Sequence, residues 1–221
     1  MATTQPPFLL RHIIKSDQKI SLLLHTLFHS YLPSSLLLFL ELSADFRFSF
    51  PISLALSFSP TLLSFLSPLL FGLLLDLALV GLIKVTFRRS RPPYNPKMSP
   101  AVSADNYSFP SGHASRVFFI ASLVSLSKPQ ILTALLELNK TRGWLDGYDE
   151  NKVLEIAVFV VCVWALITAV SRVLLGRHFL LDVLFGACLG VFEGIIAFRF
   201  LRFEDFLSNL LNYQWSGQKL N

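Results

Sequence analysis

Charge is scarce in this chain. Asp, Glu, Lys and Arg make up 15% of its 221 residues, against about 25% in an ordinary soluble domain. That shortage excludes a conventional water-facing surface. The 53% hydrophobic content excludes intrinsic disorder, which needs low hydrophobicity. Cysteine is almost missing: Cys162 and Cys188 each lie inside an apolar run and read as small buried packing residues rather than a disulfide. No ladder of Cys and His supports a zinc site. Period-2 alternation with turn signals, the mark of a membrane barrel, is also lacking. A cleavable leader is not expected, because Met1 to Pro7 is polar and Arg11, Lys15, Asp17 and Lys19 interrupt the next stretch of chain.

The chain is rich in hydrocarbon. The mean hydropathy is +0.58, and 21 Phe accompany long Leu runs. Ile20 to Tyr31 is apolar but holds His25 and His29, which suits an interfacial helix or the start of a span. Ser34 to Phe58 is broken around Asp45 and Arg47 and again at Pro51. Thr61 to Ile83 is almost wholly apolar, long enough for roughly 30 Å of hydrocarbon. Further apolar segments run over His113–Leu126, Val153–Leu175 and Phe179–Phe200, with a short piece at Ile131–Leu138 after Lys128-Pro129. Lipid offers the backbone no hydrogen-bond partners, so these spans must be helices. The expectation is an all-α, integral-membrane bundle of five or six helices. It divides into N-terminal interfacial or membrane helices (1–60), a helical core (61–203) and an amphipathic C-terminal tail (204–221).

The net charge of +5 is not spread evenly. If the last four helices alternate in direction, four helix ends share one face, and the polar residues gather there. Lys84, Arg88, Arg89 and Arg91 stand at the first, Ser111, Gly112, His113 and Arg116 at the second, Arg172 and Arg177 at the third, His178 and Asp182 at the fourth. A cytoplasmic-face surplus of Lys and Arg would account for the cations alone. It leaves the histidines and the carboxylate unexplained, whereas an anion site with acid–base groups explains all of them. Lys84 and Arg91, seven residues apart, fall on one face if the helix persists, and Pro92 makes Arg91 its end. Ser111 is placed to cap a helix whose free amides bind anions, and Gly112 admits close backbone approach. His178 and Asp182, spaced i,i+4, are neighbours on a helix. A carboxylate accepting the Nδ1 proton would leave Nε2 free as base or nucleophile.

Lys84-x6-Arg91-Pro92, Pro110-Ser111-Gly112-His113 and Ser171-Arg172-x5-His178-x3-Asp182 resemble the three motifs of the type 2 phosphatidic acid phosphatase superfamily. About ten positions match in order, each with a chance near one in twenty at average residue usage. Leu79 to Lys84, Phe109 to Arg116 and Leu175 to His178 look closest to two of its groups. These are the small polyisoprenoid diphosphate phosphatases and the plant lipid phosphate phosphatases of beta type. The resemblance implies a phosphatidic acid phosphatase type 2/haloperoxidase-like core and a metal-independent hydrolase of lipid phosphomonoesters or prenyl diphosphates, needing no cofactor. It implies that His178 attacks phosphorus and forms a phosphohistidine, that Asp182 orients and charges it, and that His113 protonates the leaving oxygen and then activates water. Lys84, Arg91, Ser111, Gly112 and Arg172 would bind the phosphoryl oxygens. The partners implied are the lipid substrate and membrane lipids, with no nucleic acid and no obligate protein partner, and endoplasmic reticulum is the expected membrane. A lipid phosphotransferase with the same site, and a non-catalytic lipid-phosphate-binding membrane protein, remain as alternatives. His25 and His29 lack a third ligand, and Asp76 reads as structural support for an inward cation.

An alkoxide leaves less readily than a phosphate, so protonation by His113 matters more for a monoester. His113→Ala is expected to lower kcat/KM more on phosphatidate than on a prenyl diphosphate; equal losses on both would contradict the assignment.

Overall fold

The structure is a computed structural model, and it describes residues 8–28, 31–57, 63–94, 103–143, 145 and 147–202. Among these residues the regular structure is helical: α1 Phe8–Phe28, α2 Ser34–Ser43, α3 Phe46–Leu56, α4 Leu63–Phe87, α5 Gly112–Leu126, α6 Lys128–Arg142, α7 Glu150–Leu174 and α8 Leu180–Phe200. Helices α4, α7 and α8 are long and apolar enough to cross a membrane. Helices α5 and α6 pass that test only together, bent by 71° where Lys128-Pro129 falls. Alone, α5 has 15 residues, about 22 Å at 1.5 Å per residue, too short for the hydrocarbon core. The chain is a multi-pass membrane protein.

Several local expectations change. Helix α1 starts twelve residues before Ile20, straight through Arg11, Lys15, Asp17 and Lys19. These charges do not break it because the helix lies along the bundle with Asp17 and Ser21 turned inward and most of the rest exposed. Pro51 does not interrupt its segment either; it sits inside α3, and the break falls at Asp45, whose side chain accepts from Arg47 N. Both cysteines are free and exposed on helices rather than buried, so they face the lipid side. Gly143 and Gly147 have positive φ at the turns after α6 and before α7. His25 Nδ1 donates to Leu174 O at 2.6 Å and its ring stacks on Tyr94; His29 and the tail 204–221 lie outside the described residues.

The most extensive pairing is α5 against α8, and three glycines one turn apart set it. A Cβ on Gly186 would meet Ser111 O at 2.5 Å, on Gly190 Ser115 O at 2.0 Å, and on Gly194 Ser122 Cβ at 2.6 Å. Small residues let two backbones approach where lipid gives no hydrophobic drive. The same contact fixes the register that brings the N-terminus of α5 to that of α8, where Ser111 N donates to Asp182 O at 3.0 Å. Beneath it, α4 joins through polar contacts: Arg116 on α5 pairs with Asp76 on α4 at 2.9 Å and donates to Ala44 O at 3.0 Å. Ser115 donates to Glu193 at 3.2 Å. Asp76 therefore does pair with an inward cation, and that cation is Arg116.

Gly190→Ala should overpack the crossing by about 1–3 kcal/mol and lower the unfolding midpoint in detergent. Gly81→Ala, whose Cβ meets nothing within 4 Å, should not; equal midpoints for both variants would contradict the close-packed seam.

Candidate active site

Four helix ends meet at one end of the bundle. Helix α4 contributes Lys84 near its C-terminus and stops at Phe87, because Arg88 takes φ 48°, a left-handed conformation that costs a non-glycine residue about 1–2 kcal/mol. Arg91 therefore leaves the helix instead of sharing a face with Lys84. The chain there runs beside the segment before α5, with a bridge between Ser90 and Tyr107 and Ser108 N donating to Arg89 O at 2.8 Å. Ser111 is the N-cap of α5, its Oγ accepting from Ala114 N, so Gly112 and His113 occupy the first turn. Arg172 lies in the last turn of α7; its carbonyl accepts from Arg177 N at 3.0 Å and His178 N at 3.3 Å, which folds the link to α8 back over the α7 terminus.

His178 is 2% exposed. Its Nδ1 donates to Ser108 O at 2.7 Å, which leaves the Nε2 lone pair free to accept from Arg91 NH1 at 3.3 Å. The Nδ1 acceptor is thus a backbone carbonyl rather than Asp182, whose Oδ2 lies 3.8 Å away, beyond hydrogen-bond range. The i,i+4 relation misleads here because His178 precedes α8 and is not in its helical register. Asp182 Oδ2 instead accepts from Phe179 N at 2.9 Å, and Oδ1 accepts from Arg89 NH1 at 2.6 Å.

The cations are held by carboxylates from elsewhere. Lys84 Nζ lies 2.8 Å from Asp105, and Glu41 of α2 reaches Arg172 at 3.2 Å and Arg177 at 3.7 Å. Arg91 differs: Nε donates to Asp105 O at 2.7 Å and NH1 to Arg177 O at 2.8 Å. Several polar atoms are left over. The donors Arg172 Nε and NH1 and Arg177 Nε and NH1 are shielded from solvent with no hydrogen-bond partner, and so is His113 Nε2, whose role its tautomer sets. A buried polar atom without a partner loses roughly 1–3 kcal/mol, so a cluster of such donors is a site for an acceptor-rich ligand. Among the described residues no three of His, Cys, Asp and Glu gather as metal ligands would.

Sequence reasoning named Lys84, Arg91, Ser111, Gly112, His113, Arg172, His178 and Asp182, and all eight stand at this end of the bundle. It passed over Glu41, Asp105, Asp17 and the role of Arg89. Glu41 carried a usable signal, an acid inside an apolar run, where ionisable groups are expensive and functional. Asp105 and Asp17 sit in polar surroundings, where nothing in the pattern distinguishes them.

Burial, then the charges of Arg91, Arg172 and Lys84, push the His178 pKa well below the ordinary imidazole range. Burial, with Arg172 next, brings Arg91 down to about 10, still cationic at neutral pH. The site presents an uncharged imidazole nitrogen inside a ring of fixed cations where the helix ends meet, a layout suited to phosphoryl groups.

The comparisons agree with that class. The PAP2 superfamily profile matches residues 65–205. A probable lipid phosphate phosphatase beta of Arabidopsis thaliana is 48% identical over 203 residues, covering 88% of this chain and 93% of the relative. The chain belongs to the PAP2 superfamily. Its fold is similar to that of a transmembrane PAP2-type phosphatidylglycerolphosphate phosphatase from Bacillus subtilis, with a TM-score of 0.62, 20% identity and 84% of each chain covered.

A group with a depressed pKa binds fewer protons folded than unfolded. The contribution of His178 to stability is therefore present above the unfolded value near 6.5 and lost as pH falls through the folded one. Histidine NMR in detergent should show this ring titrating well below pH 6.5; a midpoint at or above that value would contradict the burial.

Proposed function

We propose that the protein is an integral-membrane lipid phosphate phosphatase that works through a phosphohistidine without a metal ion. The observation that carries this reading is the set of shielded, unpartnered guanidinium donors on Arg172 and Arg177, with the unpartnered His113 Nε2, beside the Nε2 lone pair of His178. Phosphate supplies the acceptors they lack. The relative from Arabidopsis thaliana supports the class of substrate.

In the first step Nε2 of His178 attacks phosphorus as the bond to the lipid oxygen breaks, and His113 gives that oxygen its proton. In the second, His113 takes a proton from water, whose oxygen displaces His178 and releases inorganic phosphate. The Nδ1 hydrogen bond to Ser108 O holds the reactive tautomer. The imidazole becomes cationic in the phosphohistidine, and Asp182 at 3.8 Å favours that charge. Arg91 NH1 sits on Nε2 in the resting arrangement; an entering phosphoryl oxygen would take that donor and clear the nucleophile. Lys84, Arg91 and Arg172 then hold the equatorial oxygens, with Ser111 and the start of α5 at Gly112 completing the cradle. Fixed cations and amides supply what a metal supplies elsewhere.

The lipid half is supported by an apolar cavity of about 400 Å³ between α1, α5, α7 and α8, lined by Leu24, Phe118, Ala169, Val173, Leu180 and Val183 among others. It is apolar and within the size range of small-molecule pockets, as a site for part of a lipid tail requires. Its walls Val173 and Leu180 are close in sequence to Arg172 and His178, which suits a tail leaving a headgroup held at the helix ends. Phosphatidate, lysophosphatidate, sphingoid phosphates and prenyl diphosphates are the substrates to compare. We assign the catalytic core to 61–203 and place the protein in the endoplasmic reticulum. Transfer to an alcohol in place of water uses the same residues and would show as a phosphorylated acceptor.

Phosphate release from that lipid panel in EDTA should proceed with wild type and vanish with His178→Ala, along with labelling of the protein by substrate phosphate. Release that requires added divalent metal, or normal labelling of His178→Ala, would overturn the reading.

A further inference from the structure

Asp17 is out of character with its helix. Most of α1 is exposed, yet Asp17 is 4% exposed and Ser21, one turn on, is fully buried. Asp17 Oδ1 accepts from Leu181 N at 2.9 Å, and Ser21 Oγ accepts from Leu180 N at 2.8 Å. Two amides at the start of α8, which the helix itself cannot satisfy, are thus capped by side chains more than 150 residues earlier. Asp182 Oδ2 takes the amide of Phe179. Three amides at the start of α8, those of Phe179, Leu180 and Leu181, are therefore engaged by the protein's own side chains, and that start follows His178 directly.

Asp17 Oδ2 accepts from Arg89 NH2 at 2.6 Å, while Arg89 NH1 donates to Asp182 Oδ1, also at 2.6 Å. The guanidinium lies 4.3 Å from the centroid of the Phe179 ring. One planar fork thus joins a carboxylate of α1 to one of α8 and covers the residue next to His178. A lysine carries the charge but not the two-pronged geometry. The superfamily match begins at residue 65, so Asp17 lies outside the core that the motifs define, and Arg89 occupies one of the six open positions between Lys84 and Arg91.

We infer that Asp17 is a positioning residue for the reaction, acting through Arg89 and the capped start of α8 on Asp182 and His178. Helix α1 is then a working part of the site and not only an anchor. Neutralising Asp17 leaves Arg89 balanced by Asp182 alone, so that Asp182 has less charge to offer the cationic phosphohistidine. The loss falls on turnover, because neither Asp17 nor Arg89 belongs to the set proposed to hold the phosphoryl oxygens.

This rests on the phosphatase reading, and the test separates the two. Asp17→Asn keeps an oxygen for Leu181 N and removes the charge. In detergent-purified full-length protein, kcat should fall about 10- to 100-fold, up to the scale for misplacing a reacting group by about an ångström, with KM within about threefold. Arg89→Lys should behave alike, and Asp17→Asn/Arg89→Lys should lose no more than the worse single variant. Wild-type kcat in a folded Asp17→Asn, a loss confined to KM, or losses that multiply in the double variant would overturn the inference. Should Asp17→Asn fail to fold, Asp17→Ser, which is smaller and also removes the charge facing Arg89, takes its place: wild-type kcat overturns the inference and a lowered kcat with unchanged KM upholds it. Wild-type protein that releases no phosphate from any lipid of the panel overturns the phosphatase reading instead.

Discussion

Cations withdrawn from water need counter-charge, and at the edge of a bilayer that need is sharper than in a soluble core. Lys84 and Arg172 are 5% and 1% exposed, and each rests on a carboxylate brought from a different segment: Asp105 before α5 and Glu41 on α2. Arg89 rests on two, Asp17 and Asp182. Breaking a buried pair on one side leaves an uncompensated charge and costs roughly 3–5 kcal/mol. The helix ends are thereby tied together by electrostatics where lipid cannot tie them by hydrophobic burial. These carboxylates quiet the cations without exhausting their donors, and the donors that remain define the anion site.

The seam of Gly186, Gly190 and Gly194 supplies the geometry that electrostatics alone would not. It lets α8 approach α5 until Ser111 N meets Asp182 O, so two helix starts lie side by side and their capping differs. At α8 the first amides are consumed by Asp17, Ser21 and Asp182. At α5 the cap is Ser111, whose Oγ accepts from Ala114 N. Of the two positive helix ends, α5 is the one suited to an external anion, and it carries His113.

Much of this was legible in the sequence because membrane helices and motif residues leave strong periodic or spaced signals. Val153–Leu175 and Phe179–Phe200 were read to within three residues of α7 and α8, since continuous apolar runs bounded by polar residues have one reading in lipid. The convergence of Lys84, His113, Arg172 and His178 followed from alternation of helix direction. What failed was local. The reach of α4 to Arg91 was lost to the left-handed turn at Arg88. The proton of His178 goes to Ser108 O because the loop, not the helix, sets its orientation. The counter-ion Asp17 was hidden in polar surroundings, and although Glu41 stands out as an acid in an apolar run, pairing across more than 70 residues leaves no spacing that names the partner of either.

The central claim is geometric: one pocket at the helix ends holds a tetrahedral anion against Nε2 of His178. An experimental structure of the protein with orthovanadate bound tests it directly. Vanadium should be bonded to His178 Nε2, with its equatorial oxygens on Lys84, Arg91 and Arg172 and with His113 on the side opposite His178. Vanadate bonded elsewhere, or bound with His178 Nε2 still covered by Arg91, would contradict it.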